Sequence, residues 1–125
     1  MEGFVAKAQR SLSSAERCFA AADYEGSANR AYYACFHAAI AVLARYGTEH
    51  KKNPHDWVQS QFASELVHRR KLFPRDFVPL FLDVQRIRHS ADYEETALAK
   101  SLATKQLRQT QHFVNTILEH LQQTL

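Results

Sequence analysis

The stretch Arg86-Ile87-Arg88-His89-Ser90-Ala91-Asp92-Tyr93 gathers the richest set of chemically capable side chains in the sequence. On a helix, residues three, four and seven apart are neighbours. That spacing puts Arg86, His89 or Ser90, and Tyr93 along one face, and Arg88 with Asp92 on another. An arginine beside a histidine suits phosphodiester chemistry. The guanidinium holds and neutralises a phosphate through two parallel hydrogen bonds. The imidazole titrates near neutral pH and can move a proton. The plainer reading is an exposed Arg88–Asp92 helix pair worth about 0.3 kcal/mol, with His89 simply solvated.

Other polar groups have plainer roles. His37 lies among apolar residues and reads as a hydrogen-bonded core histidine. Tyr32 and Tyr33 read as core and interface aromatics whose hydroxyls need partners. His50-Lys51-Lys52 and His68-Arg69-Arg70-Lys71 are basic clusters that can draw in phosphate-bearing ligands or simply face water. No metal site is expected, because the histidines do not pair four apart on one helix and Cys18 and Cys35 are distant in sequence. There is no glycine-rich phosphate loop and no Ser or Cys nucleophile signature. No cofactor is expected.

The elements that must position these residues are helices. Residues 31–47 are apolar on nearly every side: Tyr32, Cys35, Phe36, Ala39, Val42, Leu43 and Tyr46 make one stripe, and Tyr33, Ala34, Ile40, Ala41 and Ala44 fill much of the rest. Such a helix needs neighbours on more than one side. It is predicted to begin near Tyr24 or Glu25, capped by Asp23, and to end at Gly47. A first helix over about Glu2 to Ala22 follows from Phe4, Ala8, Leu12, Ala15, Phe19 and Ala22. A third runs from about Pro54 to Arg69, with Asn53 as cap and Pro54 in the first turn. A fourth runs from Arg75 or Asp76 to Tyr93, with Pro79 near its start. A fifth, capped by Thr96, reaches about Gln122 on a stripe of Leu98, Leu102, Leu107, Val114, Ile117 and Leu121 that weakens in the middle. The expectation is an all-α, up-and-down antiparallel bundle of about five helices in one domain spanning residues 1–125.

Composition agrees. In 125 residues there are only three glycines and three prolines, which argues against many-stranded or disordered classes. A net charge of +3 permits an anionic partner without demanding one. No stretch reads as a membrane span or a secretory signal, and the two cysteines read as reduced thiols of a cytoplasmic protein.

Three groups of residues carry a family resemblance. Asn29-Arg30-Ala31-Tyr32-Tyr33, then Phe36-His37-Ala38-Ala39 and Gly47, resemble the second helix of HEPN-domain proteins. His55 with Val58 and Phe62 resembles their third helix. Arg88 followed by Ala91-Asp92-Tyr93 resembles the end of the fourth helix in a prokaryotic subfamily. The resemblance implies an antiparallel helical bundle that forms a homodimer. It implies either a metal-independent ribonuclease, some of them toxins of toxin–antitoxin pairs, or a partner of a nucleotidyltransferase (the antitoxin) that binds nucleotide or RNA.

Ribonuclease members carry an Arg, a short spacer and a His, some with a Tyr just beyond. Counted back from Tyr93, the Arg position here falls on Arg86 and the His position on Ala91, which cannot move a proton. The expectation is therefore a binding module, with Arg86, Arg88, His89, Asp92 and Tyr93 as a ligand-facing patch. The alternative is a ribonuclease in which His89 is the substitute base and Arg86 or Arg88 clamps the phosphate.

Overall fold

A computed structural model of the chain describes residues 2–124. Among them are five helices and no strand: α1 (Glu2–Ala20), α2 (Tyr24–Arg45), α3 (His55–Gln61), α4 (Phe77–Tyr93) and α5 (Lys100–Gln123). The third helix continues beyond Gln61 as a wider π-helical segment, Phe62–Arg69. Its widened spacing is seen where Arg70 N donates to Glu65 O at 3.0 Å. The bundle is all-α, as the apolar periodicity predicts.

α2 is the centre. It packs against α1, α3, α4 and α5. Ala28, Ala31, Tyr32, Ala34, Cys35, Ala38, Ala39, Ala41 and Val42 are wholly buried on it. Small alanines let four neighbours approach at once. The larger volume comes from the neighbours, above all a cluster in which Phe62, Phe73, Phe77, Phe81 and Phe113 meet ring to ring. Burial pushes the Cys35 thiol up to about 12, so it is a neutral core group, 3.6 Å from Thr110 Oγ1.

The helix ends follow local chemistry. Asp23 Oδ1 accepts from Gly26 N at 2.9 Å and caps α2. α2 closes at Tyr46, with Gly47 left-handed at φ 78°; Gly47 N reaches Ala44 O at 3.0 Å and Thr48 N reaches Leu43 O at 2.9 Å. These two bonds satisfy carbonyls that the helix end would otherwise leave open. α1 ends the same way with Ala22 in the glycine position, at φ 61°. Pro79 lies within α4. It sits in the first turn, and Val78 N takes the Arg75 carbonyl at 3.2 Å that residue 79 would otherwise use.

Two predicted caps are corrected. α3 begins at His55 with Pro54 in extended conformation before it, and Asn53 is a left-handed residue at φ 46° rather than a cap. Thr96 does not cap α5, which starts at Lys100. Ala99, just before it, is extended, and Glu25 Oε2, on α2, accepts from Leu98 N at 2.6 Å. The weak middle of the α5 stripe also has a cause. Gln106 is fully buried there, and its Nε2 donates to Ala28 O on α2 and Val84 O on α4, both at 3.0 Å. One polar side chain thus ties three helices. Leu102, placed in the stripe by spacing, is 44% exposed.

Two substitutions test these ends. Ala22→Gly relieves a left-handed alanine and is expected to stabilise the chain by about 1 kcal/mol in urea unfolding at unchanged m value. Gly26→Ala places a Cβ 2.2 Å from Asp23 Oδ2, so the cap must move away, and a loss of about 1 kcal/mol is expected.

Candidate functional site

The site is built where α4 crosses α2. Arg88 points inward. Its Cζ lies 5.3 Å from the Tyr32 ring centre and 5.5 Å from that of Tyr33. Its Nε lies 2.9 Å from Asp92 Oδ2, an ion-pair distance, although the N–H does not aim along that line. Asp92 is one turn further along α4, so the pair comes from helix geometry alone. The Arg88 and Asp92 side chains are only 19% and 24% exposed, so this is not a pair lying loose in water. Two aromatic faces and a carboxylate hold the cation. Among the described residues, neither terminal amino group of Arg88 has a hydrogen-bond partner.

His55 completes the wall. It opens α3, after Pro54 has set the chain direction. Its ring stacks on Phe36 at 4.4 Å, and its Nδ1 lies 2.6 Å from Tyr32 Oη. Burial raises the Tyr32 phenol above its ordinary range, so it keeps its proton. Burial, and then the Arg88 charge, lower His55. A protonated phenol beside a neutral imidazole donates to Nδ1, which leaves the imidazole proton on Nε2. Arg88 and the rings of Tyr33 and His55, whose centroids are 6.0 Å apart, thus lie side by side, with Asp92 beside the guanidinium.

The remaining residues of the predicted patch face elsewhere. Arg86 is 71% exposed and bound to Asp83 Oδ1 at 2.6 Å, with Lys105 Nζ 3.8 Å from the other oxygen of Asp83. The His89 and Tyr93 rings pack at a tilt with centroids 4.7 Å apart, and Tyr93 is 69% exposed. Arg86 and His89 line a shallow groove with Leu82 and Gln85. That groove runs on between α3 and α4 past Gln59, whose Nε2 donates to Gln85 Oε1 at 2.9 Å. The structure therefore brings Arg88 and Asp92 together with Tyr32, Tyr33 and His55, and brings Arg86 together with His89 on the outer side of the same helix. The sequence patch is two surfaces.

His37 departs from the expectation of a hydrogen-bonded core residue. It packs on Phe4, Tyr33 and Phe36 at 5.9, 6.0 and 5.7 Å, but its buried Nδ1 has no partner. Burial, then Lys7, Arg10 and His55, hold its pKa down to about 4.

The Tyr32–His55 bond is the feature that spacing alone misses. Twenty-three residues separate the two, and nothing local announces the contact. The available signal was a histidine directly after a proline at a helix start.

The lowered His37 pKa makes stability depend on pH. The unfolded chain binds this proton more readily than the folded chain. The His37 contribution is thus complete above pH 6.5 and is lost as pH falls from there through about 4. His55 and His120, both lowered chiefly by burial, act in the same direction. Thermal unfolding is expected to show a melting temperature that falls over this window and falls less steeply in His37→Gln. Equal slopes in the two proteins would contradict the assignment.

A family model, the HEPN domain, matches residues 1–121. A search of curated proteins finds no match. The matched span runs from the start of α1 almost to the end of α5 and contains every residue of both α4 surfaces. The chain belongs to the HEPN domain family.

Proposed function

We propose that this chain is a cytoplasmic HEPN module that binds nucleotide or RNA as a homodimer and associates with a nucleotidyltransferase-type partner, in a prokaryotic toxin–antitoxin or defence system. Family membership supports a nucleotide- or RNA-related role in general. The observation that carries the reading is Arg88. It is a guanidinium held by Tyr32, Tyr33 and Asp92, and among the described residues its terminal amino groups have no hydrogen-bond partner. A pre-positioned fork loses little freedom on binding and matches a phosphate in two-point geometry. The imidazole N–H of His55 and the Tyr33 hydroxyl add neutral donors.

The outer α4 surface supports the association half of the reading. Leu82, Arg86, His89 and Tyr93 follow one another at helical spacing, and Leu82 and Tyr93 are large apolar or aromatic side chains left 44% and 69% exposed. A second copy or a partner chain would cover them. Among the described residues no helix is long and apolar enough to cross a membrane.

A second reading keeps the outer surface for catalysis. Arg86 and His89 line one groove, so a phosphodiester seated there would meet a guanidinium and an imidazole together. In this reading His89 takes the 2′-hydroxyl proton and Arg86 neutralises the phosphate.

One set of variants separates the two. A titration with adenosine monophosphate is expected to saturate for wild type and to weaken at least tenfold for Arg88→Gln, while Arg86→Ala and His89→Ala bind as wild type. Equal binding by Arg88→Gln would overturn the reading. Incubation of RNA with the same proteins tests the alternative: cleavage by wild type that disappears in His89→Ala and Arg86→Ala would favour it, and equal results in all three would remove it.

A further inference from the structure

The strip of α2 next to Arg88 is only part-buried, and its surroundings are basic. Arg30, Tyr33 and His37 follow one another on α2 at helical spacing, and none of the three is buried. On the α1 side, Phe4 packs on His37 and Lys7 Nζ sits 5.3 Å over the Phe4 ring. Lys7 and Arg10 are both close enough for their charges to act on His37, and His37 in turn senses His55. On the α4 side stands Arg88. Lys7 and Arg10 are exposed, and neither has an acidic partner among the described residues. The acids near the strip are Asp92, engaged with Arg88, Asp56, next to His55, and Glu49, which lines a cavity with Phe4. The result is a run of cations, Lys7 and Arg10 at one end and Arg88 at the other. Phe4, His37 and Tyr33 lie between them.

That composition differs from a mononucleotide pocket. A single phosphate needs one guanidinium, whereas cations spaced along a strip of rings suit a chain of phosphates with stacked bases. We infer that this α1–α2 strip continues the Arg88 site into a track for single-stranded polynucleotide, with Lys7 and Arg10 as two further phosphate contacts. The inference rests on the phosphate role given to Arg88 and names the ligand class of that site.

The test compares lengths. Wild type is titrated with adenosine monophosphate, with single-stranded oligoadenylate long enough to span the strip, and with duplex RNA of the same length. The oligoadenylate is expected to bind at least tenfold tighter than the monophosphate and tighter than the duplex. The variant Lys7→Glu/Arg10→Glu changes two exposed side chains, and circular dichroism verifies its fold. It is expected to lose that length advantage while binding the monophosphate as wild type does. Its salt dependence on oligoadenylate is expected to fall by about 1.4 in slope, for two lost phosphate contacts on a single strand. Equal affinity of wild type for monophosphate and oligoadenylate, unchanged oligoadenylate binding by the double variant, or preference for duplex would each overturn the track. Arg88→Gln distinguishes the two levels. If it leaves monophosphate binding intact, the reading of Arg88 fails. If it abolishes that binding but no length advantage exists, only the track fails.

Discussion

A helix without a wet face has to be surrounded, and α2 sets this requirement for the whole chain. Its wholly buried alanines give it a narrow profile, so α1, α3, α4 and α5 all reach it. The aromatic side chains that α2 does carry cannot vanish into so narrow a core. Tyr32 is buried with its hydroxyl on His55, while Tyr33 and His37 stay only part-buried. The position of the functional surface follows from the packing. It is the remainder left when four neighbours have taken their places.

The same packing explains how a cation is kept near the interior. Removing a guanidinium from water is costly unless other contacts replace hydration. Arg88 finds two ring faces and one carboxylate, which stabilise its charge without using its terminal amino groups. Asp92 alone would give an ordinary helix-surface pair. The rings of α2 turn that pair into a fixed fork. On the other side of α4, Arg86 has only Asp83 and lies in water. Two arginines, two residues apart in sequence, therefore differ in exposure, partners and use.

Much of this was legible in the residues themselves. The periodicity of α1 and α2, the Asp23 cap and the Gly47 stop are local, and local chemistry determines them. The division of residues 86–93 into two faces was also legible, because helix geometry requires it. The contacts between elements were not. Nothing near Thr96 reveals that Glu25 captures the backbone before α5, and nothing near Gln106 reveals that two carbonyls from other helices await it. His55 was visible only through its resemblance to a family pattern. Its role depends on Tyr32, which the fold delivers from another helix. The family match over residues 1–121 agrees with the bundle and leaves the choice between the two α4 surfaces to chemistry.

The central claim is that phosphate is received at the inner surface of α4. Its most direct test is a nuclear magnetic resonance titration of the full chain with adenosine monophosphate, following the guanidinium signal of Arg88, the ring signals of Tyr33 and His55, and those of His89 and Tyr93. The account predicts saturable shifts at Arg88, Tyr33 and His55, with His89 and Tyr93 unmoved. Saturable shifts confined to His89 and Tyr93, or no shift at Arg88 at saturating nucleotide, would contradict it.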